Sequence, residues 1–346
     1  MDGTLNGYAT IVNNVLKHIA PKVSAEDKSE YLKYMNKVVD NERIYTDTGM
    51  TGLGMGEIIP DGSIASSDAP IQGYTKNYTQ VLFTKKVRIT YLSNYFLFDS
   101  PAAKIKAEVK KKIVDGKNAI EQAKSYLGQA MLANGWGTSF VWTPINMPGT
   151  PTTISTLGAD GVSFWDTAHP REDGGASWSN VVVDGLVSSP VFSYSSLLAA
   201  RRQFSLIKDG RGNPMSGSYL DTLVCRRGSN TAQLAKTIKG TIDKGIAPQQ
   251  TNIYNNAPAT DTFNIIELDV WGGLGLTGVM WFMMDSKMKN EDYGFQYVEA
   301  LPTRAEPVFY DAPGNQDFIS NFNSIAVMGL SDSRGWMASA GDSVTT

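Results

Sequence analysis

The stretch from Ser100 to Gly135 organises the rest of the chain. Ser100-Pro101 opens a helix: a side-chain acceptor at the N-cap, then a proline whose missing N–H is an orphan there in any case. Asn134-Gly135 closes it, with glycine free to turn left-handed. The span is about ten turns, roughly 50 Å of rod at 1.5 Å per residue, and about three times the usual globular helix. Ile105, Val109, Ile113, Ile120, Ala123, Leu127 and Met131 share one face, so the helix is seated along its length. Lys106, Lys110, Lys117 and Lys124 form a second stripe beside that face. The plain reading of such a stripe is a solvated surface; the sharper one is a contact with polyanion. Gly116 falls on the apolar face at a cost of about 1 kcal/mol against alanine, which predicts a bend or a close backbone contact.

Composition narrows the function classes. The 346 residues are 42% hydrophobic and 19% charged, enough for a buried core in two or three domains. No apolar run reaches the length of a membrane span, and no basic-then-apolar leader is expected. The single cysteine, Cys225, excludes an internal disulfide framework and fits a reducing compartment. Two histidines argue against a histidine-rich metal site. The long helix carries seven lysines and three acids, a formal +4, so the remainder is −7 against a total of −3. A protein that merely coats DNA is basic overall; this chain is acidic with one basic edge.

Leu5, Tyr8, Val12, Val15, Leu16 and Ile19 recur at helical spacing up to Pro21. A capping box at Ser24–Asp27 predicts a second short helix through Tyr31, Tyr34, Met35 and Val38. Residues 46–74 are rich in glycine, serine and aspartate, and too long for an ordinary connection. Gln80 to Phe98 alternates apolar and polar residues and predicts a long half-buried strand. We expect that strand to be one leg of a projecting hairpin, with residues 46–74 as its tip and returning leg.

After the long helix, residues 138–180 read as loops and short strands, followed by a helix at Tyr194–Ile207 and a turn at Lys208–Pro214. Thr222–Cys225 predicts a buried strand, and Ser229 or Asn230 caps a helix to Ile238. Strands are expected at Phe263–Leu268, Gly278–Met284, Phe295–Ala300, Pro307–Tyr310 and Ser324–Met328, with a helical turn near Gln316–Phe322. An N-terminal pair of amphipathic helices and a long excursion leave apolar surface that only other copies of the chain can cover.

Few constellations point to chemistry. Asp166, His169, Glu172 and Asp173 share a loop, but their spacing matches no zinc or calcium site, and a polar turn is the plainer reading. The glycine-rich run 272–278 lacks the Lys-Ser/Thr of a phosphate loop. Cys225 lies beside Arg226 and Arg227, yet sits in an apolar strand pattern, as a buried structural thiol does. No catalytic, cofactor-binding or metal-binding set is assigned.

FWDTAHPREDGGASWSN at residues 164–180, then SSLLAARRQ, KDGRGNPM and YLDTLVCRRGS between Ser195 and Ser229, carry a resemblance. FNIIELD at 263–269, YGFQYVEAL at 293–301 and DSRGW at 332–336 extend it. In pattern and order these resemble the major capsid proteins of tailed double-stranded-DNA phages. The resemblance implies an α+β, Hong Kong 97-type capsid fold. Its parts would be an N-terminal arm (1–45), an extended loop and hairpin (46–98) and a peripheral domain with the long spine helix (99–189). An axial domain (190–298) and a return to the peripheral domain (299–346) would follow.

It further implies hexamers and pentamers in an icosahedral virion head, assembled in the host cytoplasm around double-stranded DNA, with no cofactor, no catalysis and no membrane. Scaffold, portal and decoration proteins are the implied partners. Lys106, Lys110, Lys117 and Lys124 would face DNA or scaffold on the inner surface. The extended loop would lie over a neighbouring subunit, and nothing specific marks Lys76 or Asn77 for a cross-link. Two alternatives remain open: an encapsulin-like nanocompartment shell of the same fold, and an unrelated hydrolase built on the Asp166–His169 loop.

Overall fold

The computed structural model describes residues 29–51, 58, 64, 67–70, 72–89, 102–143, 151–215, 217–244, 263–269, 275–291, 293–306, 309–310, 318–341 and 344–345. The predicted helix at Leu5–Ile19, the Ser24 capping box and most of the glycine-rich excursion lie outside them.

The long helix is present as Ala102–Asn134, a single run of 33 residues. Its apolar stripe explains its seat: Ile113, Ile120, Leu127 and Met131 are all buried. It lies on a five-stranded sheet whose middle strand is Phe318–Leu330. Val81–Ile89 pairs antiparallel along one edge of that strand. Phe295–Ala305 and then Phe309–Tyr310 run antiparallel along the other. Asn36–Val39 closes the sheet in parallel with Phe295–Ala305. A Cβ on Gly116 would stand 2.7 Å from the ring of Phe322, so the predicted close contact is with a side chain of the middle strand.

A second, four-stranded sheet runs in the order Asn264–Leu268, Thr222–Arg226, Trp281–Met284, Trp336–Ser339. Helices Tyr194–Phe204 and Asn230–Lys244 accompany it. Ser193 caps the first by accepting from the Ser196 N–H, and Ser229 Oγ accepts from the Ala232 N–H at the start of the second. Trp165 joins the two sheets, packing against Phe295 of the first and Phe282 and Trp336 of the second. Its indole N–H donates to the Leu132 carbonyl at 2.8 Å, in the last turn of the long helix.

Several expectations need correction. Gly135 is not among the left-handed glycines; a Cβ there would meet the Trp165 indole at 2.7 Å, so space rather than φ demands it. The helix expected through Val38 is a 3-10 turn, Glu30–Lys33, followed by the strand Asn36–Val39. The β-branched Val38 and Val39 gain more from the ladder with Val298 and Glu299 than from helical continuation.

The hairpin legs are Ile44–Met50 and Gln72–Thr79. Val81–Ile89 instead belongs to the first sheet, because its Phe83 face is buried there. Phe318–Phe322 is strand, not a helical turn: Ser320, Phe322, Ser324 and Ala326 are buried in alternation, the period of two that the ladder to Val81–Ile89 enforces. In the tail, Trp336–Ser339 pairs with Trp281–Met284 in the second sheet rather than returning to the first.

Candidate functional site

The lysine stripe divides where the helix meets the sheet. Lys110 is exposed, as are its neighbours Lys111 and Lys112. Lys117 is buried, and the side chain of Lys106 lies outside the described residues. Lys124 is fully buried, so it is no surface contact. Its Nζ donates to Tyr297 Oη at 2.9 Å, Glu121 Oε1 at 3.1 Å and Thr303 Oγ1 at 3.3 Å, with Glu299 Oε1 at 3.9 Å. The physical reason is the helical period: the stripe that borders the apolar face at Lys110 has turned in against strand Phe295–Ala305 about four turns later, at Lys124.

Burial pulls the Lys124 ammonium below its ordinary range, and Glu121 opposes that pull. Burial alone would raise Glu121, but Lys124 and the hydroxyls of Thr303 and Tyr31 hold it below the usual carboxylate range. The cluster is thus an ionised, hydrogen-bonded core that ties the long helix to strand Phe295–Ala305 and to the N-terminal turn.

Glu30, next to Tyr31, extends that tie to the second sheet. It is buried and accepts from Gln129 Nε2 on the long helix, from Arg227 Nη2 at 3.2 Å and from the Asp269 N–H at 3.0 Å. No motif in the sequence marked Glu30, which lies beyond the predicted capping box at Ser24–Asp27.

The loop with Asp166, His169, Glu172 and Asp173 is a set of internal staples. His169 is buried, stacked on Trp178 at 4.5 Å, with Nδ1 2.6 Å from Asp160 Oδ2. Ser333 Oγ lies 3.4 Å from Nε2 and 3.5 Å from Nδ1, so it aligns with neither ring lone pair. His169 and Ser333 are buried and Asp160 is half-buried, and the serine–imidazole distances exceed the 2.6–3.2 Å of a nucleophile–base bond. Glu172 pairs with Arg334 inside the protein, and Asp166 and Asp173 engage backbone turns. Among the described residues no group of histidine, cysteine or acid side chains is arranged to hold a metal. Cys225 is buried, and that burial, with Glu267 nearby, pushes its thiol up to about 12.

Among the described residues, two stretches of exposed apolar surface lie beside the long helix and on the excursion. One is a groove of about 290 Å³ between Val81–Lys85, the Ala119–Leu127 stretch of the long helix and the short strands carrying Trp142 and Ile154. Val81 and Leu82 stand exposed on its wall. The other is on the excursion: Met50 is exposed at the end of its leg, and Ile58 and Ile64 are wholly exposed. The base of the hairpin is pinned to the body. Ser331 Oγ donates to Asp47 Oδ2 at 2.5 Å, and Lys76 Nζ donates to the carbonyls of Leu157 at 3.0 Å and Gly158 at 3.3 Å. The hairpin therefore projects less freely than its composition suggests. No helix among the described residues is long and apolar enough to cross a membrane.

No family model and no curated protein matches the chain. Among solved structures it is similar to one from Mycobacterium phage Adephagia, at 10% identity over 92% of each chain with a TM-score of 0.46. It is similar to the capsid of a native GTA particle, at 10% identity over 91% of each chain with a TM-score of 0.46. The capsid structure of the cyanophage P-SCSP1u shares 9% identity, covering 91% of this chain and 89% of that one, with a TM-score of 0.47.

Proposed function

We propose that this chain is a major capsid protein, the structural subunit of a tailed-phage head with a Hong Kong 97-type fold, and not an enzyme. The observation that carries the reading is the pair of exposed apolar surfaces, the groove beside the long helix and the excursion with Met50, Ile58 and Ile64. They lie at different places on the subunit, so one copy's excursion can cover another copy's groove. A contact between two different patches repeats head to tail, and closes into rings when the rotation allows. Hexamers and pentamers are such rings, and together they close an icosahedral shell. The order of motifs from Phe164 to Ser229 and the oversized helix on its sheet support the same reading.

The enclosed polymer in this reading is double-stranded DNA, held without sequence specificity. Among the described residues Lys110, with Lys111 and Lys112 beside it, is the exposed part of the basic stripe that suits a phosphate backbone. Scaffold, portal and decoration proteins are the partners such a shell needs, and the virion head, assembled in the host cytoplasm, is its place. Nuclease treatment of particles purified from the producing cells tests the function. Protected double-stranded DNA inside uniform shells supports it; shells filled with a cargo enzyme and no DNA point to the nanocompartment alternative.

A further inference from the structure

The turn at Lys208–Pro214 does something that its sequence does not announce. Asp209 Oδ1 accepts from the N–H groups of Arg211 and Asn213 at 2.9 and 2.8 Å, and Gly212 takes a φ of +85°. This is a tight, pre-organised turn that holds Arg211 out toward the hairpin. All three guanidinium nitrogens of Arg211 then bind the two shoulders of the excursion. Nη1 donates to both carboxylate oxygens of Asp68 at 2.6 Å, Nη2 to the Ala69 carbonyl, and Nε to Thr51 Oγ1 at 3.3 Å.

The last backbone pair of the hairpin is Met50 with Gln72. Thr51 and Asp68–Ala69 lie beyond it, so Arg211 takes over where the ladder stops. The fit is close: Thr51 is buried, and a Cβ on Gly210 would stand 2.6 Å from Thr51 Cγ2 and 2.8 Å from Glu172 Oε2. Glu172 is itself fixed by Arg334, so the clasp stands on a buried ion pair.

We propose that Arg211 is the clasp that sets where the excursion leaves and re-enters its own subunit, and hence the direction in which it reaches the next copy. It is a positioning residue for assembly, and in that respect the inference rests on the shell reading. Arginine is required because only a planar, three-nitrogen donor reaches one carboxylate, one carbonyl and one hydroxyl together; an ammonium is a point charge.

Spin labels on Ser67→Cys and Leu206→Cys, both exposed, test it in the full chain, diluted with unlabelled protein; buried Cys225 stays unlabelled. With Arg211 present the labels give one narrow distance. R211A and R211K lose it while the chain still unfolds cooperatively, and D68A, which alters a half-exposed side chain, does the same if R211A fails to fold. A narrow distance that survives R211A or D68A overturns the clasp. R211A chains that lose the distance yet build shells of unchanged size overturn the positioning role; irregular or absent shells support it. Failure of the unmodified chain to form shells defeats the shell reading, while the distance measurement still judges the clasp.

Discussion

Lys124 donates to the hydroxyl of Tyr297 at 2.9 Å, across 173 positions of sequence, and both side chains are fully buried. The bond fixes the long helix to the sheet beneath it through a charge rather than through apolar contact alone. Removing one member of a buried ion pair leaves the other unpaired, which costs about 3–5 kcal/mol. Lys124→Met therefore destabilises the chain by about that amount in urea unfolding. The double variant K124M/E121Q recovers part of the loss, because it also withdraws the stranded carboxylate. Equal stability of K124M and the unmodified chain removes the cluster from its place in the account.

The same cluster adds a contribution to stability that acid removes. Glu121 is held below its ordinary value of 4.5 in the folded state. Unfolded, it takes up a proton more readily than folded, so its contribution is complete above that ordinary value and is lost as pH falls through the depressed folded one. Unfolding midpoints measured from neutral pH downward fall more steeply for the unmodified chain than for E121Q. Parallel curves contradict the assignment.

Gly116 reports on how closely the helix sits. Alanine gains about 1 kcal/mol of helix propensity, but its Cβ must displace the buried ring of Phe322, and overpacking of this kind costs about 1–3 kcal/mol. G116A is expected to be destabilising on balance, and G116A/F322L to be more stable than F322L alone. Thermal unfolding of the four chains measures both signs.

Much of this architecture was written in local patterns. The Ile113–Met131 stripe and the Ser229 cap identify their helices, because periodicity and capping are local properties. What stayed hidden depends on distant partners. Asn36–Val39 reads as helix until Phe295–Ala305 offers it a ladder, and Gly135 reads as a left-handed cap until Trp165 is placed against it. Lys124 looked like the fourth residue of a surface stripe; only the arrival of Tyr297 and Thr303 from the far end of the chain turns it inward. Arg211, in a turn legible from Asp209 and Gly212, gave no sign of the loop it holds.

The surviving basic edge gives a separable prediction about DNA. Replacing Lys110, Lys111 and Lys112 together by glutamate reverses three exposed charges and leaves the helix's buried face alone. Shells of this variant are expected to retain less nuclease-protected DNA, with the deficit growing at low salt, where phosphate contacts weigh most. K124E behaves differently: it fails at folding, before any shell forms. Full heads from the triple variant exclude these lysines from DNA retention.

The central claim is that copies of this chain cover one another's exposed apolar surfaces, and sedimentation velocity of the purified chain beside L82D tests it most directly. Leu82 is an exposed wall of the groove, so the substitution spares the core. The account predicts megadalton particles from the unmodified chain and folded, slowly sedimenting subunits or small oligomers from L82D. A stable, compact monomer from the unmodified chain, or particles that form equally well with aspartate in the groove, would contradict it.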